Sequence, residues 1–167
     1  MSEYASKDRL QPALLDRLTD LQPQQQSESR EQRVMSQRQL RKAVVRDLEW
    51  LLNTGCYTSV GDLSEHPWVA QSVLNFGVPD LTGSTVSSVD LGRLERELRA
   101  AIINFEPRIN RNNIEVTGSI SEDTAYHNAV VFEISVELWG DPAPLHLMLK
   151  TTMDLETGQV SVQDFGG

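Results

Sequence analysis

Residues 101–120 read AIINFEPRINRNNIEVTGSI, and the fold turns on what changes in the middle of them. Upstream, Leu91, Leu94, Leu98, Ala101, Ile102 and Phe105 recur at intervals of three and four. That is the apolar stripe of an amphipathic helix. Downstream, Ile114, Val116, Gly118 and Ile120 alternate with polar residues, the period of a strand with one buried face. Pro107 disfavours helical backbone at Glu106, so the helix ends near Phe105. Helices before this point and strands after it argue for an α+β domain.

The strands continue to the C-terminus. AVVFEISVEL (129–138) places Val130, Phe132, Ile134, Val136 and Leu138 on one face. LHLMLKTTMDL (145–155) does the same with Leu145, Leu147, Leu149, Met153 and Leu155. ETG (156–158) reads as a turn into a short strand around Val160 and Val162. The result is an antiparallel meander of three to four strands with one buried face. Its central register follows from pattern. The even-numbered apolar face of one strand must meet the odd-numbered face of the next, with WGDPAP (139–144) as the connection. Leu138 then faces Leu145, Val136 faces Leu147 and Ile134 faces Leu149. On the other side Glu133 meets Lys150 and Glu137 meets His146. Opposite charges across the strands favour this pairing, and a one-residue slip would set apolar residues against polar ones.

Before residue 106 the sequence predicts three helices, on which the meander packs. The first runs from about Gln37 to Asn53. Ser36 and Gln39 are spaced as a capping box, Leu40, Ala43, Val44, Leu48, Leu51 and Leu52 form the stripe, and Gly55 suits a left-handed exit. Arg38, Lys42 and Arg46 lie on roughly the opposite face, as a solvated face or a contact for an acidic partner. The second helix starts at Pro67 and stops before Gly77, with Val69, Ala70, Val73, Leu74 and Phe76 apolar. The third spans about 88–104, with Ser87 and Asp90 resembling a cap.

Residues 1–35 read as a flexible arm, and residues 36–167 as the domain. TDLQPQQQSESREQ (19–32) has no aromatic residue and cannot bury enough apolar area to offset its ordering entropy. Inside the arm, Leu14, Leu15 and Leu18 of ALLDRL (13–18) share a helical spacing. They form either a transient turn or a docking segment that folds on a partner.

Composition narrows the function. The net charge of −9 is concentrated in residues 112–167, where Lys150 stands alone against nine acidic residues. That third offers no basic footprint for nucleic acid. It serves solubility, or steers a basic protein partner. No apolar run is long enough to span a membrane and the N-terminus has no secretory pattern. Cys56 is the only cysteine, so no internal disulfide forms. These features point to the cytoplasm. His66, His127 and His146 share no ligand spacing, so no metal site is expected. The phosphate-binding, dinucleotide, zinc-protease and serine-hydrolase motifs are missing.

Glu106 is the best candidate for acid catalysis of glycoside cleavage, at the edge of a helix. Arg108 argues against it. If Pro107 keeps the segment extended, residues 106 and 108 share a side, and a nearby guanidinium favours the ionised carboxylate. A glycosidase acid needs a raised pKa in an apolar pocket. Glu106-Pro107-Arg108 therefore reads as a stiff surface corner, with Phe105 and Ile109 turned inward to anchor it. It is either a helix stop with a local ion pair or a recognition corner whose Arg108 binds a partner carboxylate.

A helix ending in Phe105-Glu106-Pro107-Arg108-Ile109, then the strand IEVTG (114–118), then a meander turning at LETG (155–158), resembles the phage baseplate wedge family, often labelled lysozyme-like. LLDRL (14–18), LLNT (51–54) and VLNFGVPDLTG (73–83) are similar, more narrowly, to the TssE subunits of type VI secretion. The resemblance covers most of residues 14–160. It implies a non-enzymatic baseplate subunit without cofactor, related to the handshake region of contractile sheath proteins. The implied partners are the wedge proteins TssF and TssG, TssK, and the sheath proteins TssB and TssC. The implied place is the cytoplasmic face of the inner membrane, without insertion into it. By that match Glu106, Pro107 and Arg108 form the binding corner. The rivals are a cell-wall hydrolase and the equivalent wedge subunit of a contractile phage. An edge of the sheet, at 112–120 or 159–164, is the expected site for pairing with sheath strands.

Overall fold

The structure is a computed structural model. It describes residues 13–19, 24, 35–121, 128–139 and 144–165. Most of the expected arm, His127 and the centre of the 139–144 connection lie outside them. The elements run α1 (Leu14–Leu18), α2 (Gln37–Leu52), α3 (Pro67–Ala70), α4 (Leu91–Phe105), then β1 (Ile109–Ile120), β2 (Ala129–Leu138), β3 (Leu145–Asp154) and β4 (Val160–Asp164). The strands form one antiparallel sheet in the order β1-β2-β3-β4. The fold class is α+β.

The β2–β3 pairing places Leu138 on Leu145, Val136 on Leu147, Ile134 on Leu149, Glu133 on Lys150 and Glu137 on His146. The apolar face of this hairpin and the stripes of α2 and α4 close a single core. Phe132, Ile134, Leu147 and Leu149 meet Leu48, Leu51, Leu98 and Ile102 there, all buried. β1 begins at Ile109, earlier than the alternation alone indicates, because a bulge between Ile109 and Ile114 shifts the register. Such a bulge hides the period for several residues. Ile114 is buried, whereas Ile120, at the strand's far end, is exposed.

The helical half departs from expectation in three places. The second predicted helix is one turn, α3, followed by a 3-10 turn at Val73–Asn75. Ser72 Oγ donates to Val69 O and accepts from Leu74 N, and Asn75 Nδ2 donates to Ala70 O. These side chains take the backbone groups a longer helix would have used, and Val73 and Leu74 are left exposed. α2 has its Ser36–Gln39 capping box, but its exit needs no left-handed Gly55. Asn53 and Thr54 side chains bond the carbonyls of Glu49 and Trp50 instead. α4 starts three residues later than predicted, because Ser88 closes a capping box with Thr85 on a 3-10 turn and Asp90 becomes the N-cap.

Both edges of the sheet are attended by helices. Ser121 N donates to Ala129 O, so from Ile114 onward, past the bulge, the odd residues of β1 bond β2 and the even ones face outward. Of these outward groups, Gly118 N donates to Glu95 Oε1 at 2.7 Å and Ile114 O accepts from Arg99 Nε at 3.2 Å. Both partners are on α4. On β4, Phe165 N donates to Met148 O, so Val160, Val162 and Asp164 face outward. The Asn53 side chain binds Val160.

Candidate functional site

The corner is built by a turn. α4 ends at Phe105, and Ile109 N donates to Glu106 O at 3.2 Å across Pro107. Pro107 sits where a fixed φ suits a β-turn, so the segment is bent rather than extended. Ile109 is buried, and Phe105 packs edge-on against Phe76 with ring centroids 5.2 Å apart. These two residues anchor the corner from inside.

Glu106 is buried and Arg108 half-buried, where the sequence expectation sets both at the surface. Glu106 is only 4% exposed. Its Oε1 accepts from the Arg108 backbone N–H at 3.0 Å and from Arg108 Nε at 2.7 Å, and its Oε2 accepts from Arg108 Nη2. The same Nη2 donates to Asp47 Oδ2 of α2. The reason is lateral: α2 passes beside the end of α4, and Asp47 completes a carboxylate cradle around the guanidinium. Burial works against the charge on Arg108. The hydrogen bonds and attraction of Glu106, and then of Asp47, outweigh it and hold the group further above its ordinary range.

The cradle extends. Asp47 Oδ1 accepts from Arg46 Nε at 2.8 Å. Arg46 Nη1 donates at 2.8 Å to Asp16 Oδ1 of α1, and Arg46 lies over the Trp50 ring, 5.0 Å from its centroid. The bond from Asp16 raises the Arg46 pKa most. Burial opposes it, and Asp47 adds to the rise. The structure thus brings the two sequence-predicted elements, Leu14-Leu15-Leu18 and Glu106-Pro107-Arg108, onto one side of α2. α1 lies with Asp16 toward the body, while Leu14 and Leu18 remain 71% and 73% exposed and Leu15 is 45% exposed. Asp47 escaped the sequence reading. It is 61 positions from Arg108, and nothing local marks it. Sequence spacing marks Arg46 only as one of a basic stripe with Arg38 and Lys42.

Arg38, Lys42 and Arg46 turn out to line a cleft of about 700 Å³, with Arg41, Val45, Leu145 and Asp164. It opens between α2 and the end of the sheet where β4 stops, and Arg41 forks onto the Asp164 carboxylate. A second cleft of about 650 Å³ is lined by Thr58, Val60, Leu63, Ser64 and Ala70, with Asp62, whose carboxylate is bonded by Ser64. Neither includes Glu106. Cys56 is buried, with Sγ 3.0 Å from Thr58 Oγ1. Among the described residues, no group of three or more His, Cys, Asp or Glu side chains is placed to hold a metal ion. No helix among them is long and apolar enough to cross a membrane.

No curated protein matches the chain, and no solved structure does. A family model described as "Baseplate wedge protein gp25" matches residues 38–143. That span holds α2, α4, the Glu106–Arg108 corner with its Asp47 partner, β1 and β2. The chain belongs to the baseplate wedge protein gp25 family.

Proposed function

We infer that this chain is a TssE-like subunit of a type VI secretion baseplate, a non-enzymatic adaptor that binds the wedge and templates the first ring of the contractile sheath. The family match over residues 38–143 carries the baseplate assignment. The LLDRL, LLNT and VLNFGVPDLTG stretches favour the secretion system over a phage particle. In this reading TssF and TssG, with TssK nearby, meet the corner at Glu106, Pro107 and Arg108 and the leucines Leu14, Leu15 and Leu18. The subunit works in the cytoplasm, against the inner membrane.

The sheath proteins TssB and TssC would pair at the β4 edge. β1 has outward groups already bonded by α4. β4 has Val160 bonded by Asn53, which leaves the outward N–H and C=O of Val162 as the next place for a strand to add. The hydrolase rival is disfavoured by the site itself: Glu106 is buried, lines neither cleft and has its oxygens engaged by Arg108. The test is affinity purification of the chain from its own cells, with mass spectrometry of what co-purifies. Wedge and sheath proteins of a secretion system are expected. Recovery of phage tail proteins alone, or wall cleavage by the purified chain, would reject the assignment.

A further inference from the structure

The cleft between α2 and the end of the sheet holds positive charge that the fold does not use. Four of the fifteen basic residues of a chain carrying −9 line it: Arg38, Arg41, Lys42 and Arg46. Two are engaged inside the molecule, Arg41 with Asp164 and Arg46 with Asp16 and Asp47. The other two, Arg38 and Lys42, are exposed and form no ion pair among the described residues. The remaining acid of the cleft, Glu49, stands seven residues beyond Lys42, about 10 Å along the helix. Val45 and Leu145, both half-buried, add an apolar wall. We propose that this cleft and the β4 edge together receive an extended segment of another protein that carries acidic residues at alternate positions. The proposal rests on the reading of β4 as the pairing edge, and adds the chemistry of the strand that pairs there.

The place of the strand follows from how α2 is tied to β4. The two run side by side in opposite directions, Asn53 meeting Val160 and Arg41 meeting Asp164. Between these ties Val162 turns its N–H and C=O away from β3. Asn53 already occupies the outward groups of Val160, so an added strand is displaced toward Asp164, where the cleft opens. It lies roughly along α2, with every second side chain on the face of the sheet that α2 covers.

The spacing of the acids follows from two repeats that match. Side chains two apart in a strand are separated by about 6.6 Å, and residues four apart in a helix, as Arg38 and Lys42 are, by about 6 Å along its axis. Successive inward side chains of the strand therefore fall level with successive cations of α2. Carboxylates at those positions gain charge-assisted hydrogen bonds. Both cations are exposed, so a partner reaches them without breaking a bond of the fold. A free anion would use the cations but not the strand edge, and attachment to an anionic lipid surface takes a larger basic cluster, of about four to eight residues. The edge and the pair of cations together select an acidic strand.

Nuclear magnetic resonance of the isotope-labelled full chain tests this with a synthetic peptide alternating glutamate and threonine. The Val162 amide and the Arg38 side-chain Nε–H are expected to shift together as the peptide is added. Arg38→Glu with Lys42→Glu, two surface changes that leave the fold intact, should weaken this peptide by about tenfold or more and admit one alternating lysine and threonine. Equal affinity of the glutamate peptide for both chains overturns the acidic pattern, and a Val162 amide that stays in place overturns the strand. Binding to phosphatidylglycerol vesicles without binding to the peptide would assign the cleft to a lipid surface. A peptide that binds only after Glu28→Gln with Glu31→Gln would show the chain's own acids filling it. Either result overturns the proposal. No baseplate protein enters these measurements, so the two readings fail separately: normal sheaths in cells carrying Val162→Pro, beside a peptide that binds the unaltered chain, would remove the sheath and leave the site.

Discussion

The side-chain amide of Asn53, at the end of α2, grips the backbone of Val160 from both sides. Its Nδ2 donates to Val160 O at 2.9 Å and its Oδ1 accepts from Val160 N at 2.9 Å. One residue thus mimics a neighbouring strand and ties the first long helix to the last strand. Asn53→Ala leaves a half-buried donor and acceptor unpaired and should cost about 1–3 kcal/mol in chemical denaturation. Asn53→Asp keeps an acceptor for Val160 N but sets a carboxylate against Val160 O, so it should not recover the loss. Hydrogen exchange should show the β4 amides opening first in both variants.

Gly77 is a second joint. Its φ is +129°, and a Cβ there would strike Thr54 O, Cys56 N and the Gly55 carbonyl carbon. The close approach is needed because Val78 N donates to Thr54 O and Cys56 N donates to Val78 O, a parallel bridge between the exit of α2 and the segment after α3. Gly77→Ala combines a strained φ with backbone overlap. The cost should exceed the ~1 kcal/mol of a simple glycine replacement. A melting temperature unchanged from the parent would mean the bridge can be lost without consequence.

Three carboxylates at turns favour the fold in their ionised form. Asp154 accepts from the backbone of Thr157 and Glu156, Asp80 from Thr82, and Asp62 from Ser64. These bonds hold each carboxyl below its ordinary range, with the Thr157 backbone first for Asp154, the Thr82 hydroxyl first for Asp80 and the Ser64 backbone first for Asp62. The folded chain then binds these protons less readily than the unfolded chain. The contribution is whole above the ordinary carboxylate range and is lost as pH falls through the depressed values. Thermal melts should be flat on this account above that range and decline below it. Asp154→Asn should make the decline shallower; an equally steep decline would remove Asp154 from the explanation.

What the sequence disclosed and what it hid divide along physical lines. The β2–β3 register was legible because period-two alternation leaves one pairing that buries both apolar faces, and Leu138 opposite Leu145 follows from it. α2 and α4 were legible from their stripes. The failed helix after Pro67 was not, because Ser72 and Asn75 compete through side-chain bonds whose partners are chosen by geometry, not composition. The same holds for the corner. Phe105 and Ile109 could be assigned inward from their character alone, but the second carboxylate on Arg108 is Asp47, supplied by another helix, and no local pattern marks it.

β4 offers a test of edge pairing that spares the fold. Even-numbered β4 residues turn their N–H groups away from β3, as the Phe165–Met148 bond fixes. Val162→Pro therefore removes an outward donor without removing a ladder bond, which an edge strand tolerates. Ser161→Pro removes a donor to β3 and should destabilise. If sheath strands add at β4, Val162→Pro should melt within a few degrees of the parent and still abolish sheath nucleation in cells. Normal sheaths in Val162→Pro would exclude this edge.

The corner separates a structural role from a binding one. Because Arg108 is bonded by buried Glu106 and by Asp47, Arg108→Ala strands the Glu106 carboxylate and takes from Asp47 one of its two arginine partners. It should cost about 2–4 kcal/mol of stability, closer to a broken buried pair than to a surface one. Loss of assembly in that variant alone would prove little. Arg108→Lys keeps the charge but cannot fork onto Glu106 while reaching Asp47, so it should recover stability only in part. The decisive comparison replaces both partners: Glu106→Gln with Arg108→Met removes the charges together and should fold better than Arg108→Ala, since no charge is left alone beside the turn. If the corner only stops the helix, this double variant assembles normally. If Arg108 is an anchor for a partner carboxylate, it folds and fails to assemble. Denaturation curves read beside co-purification of wedge proteins distinguish the two, and normal assembly by a well-folded double variant would sink the recognition corner.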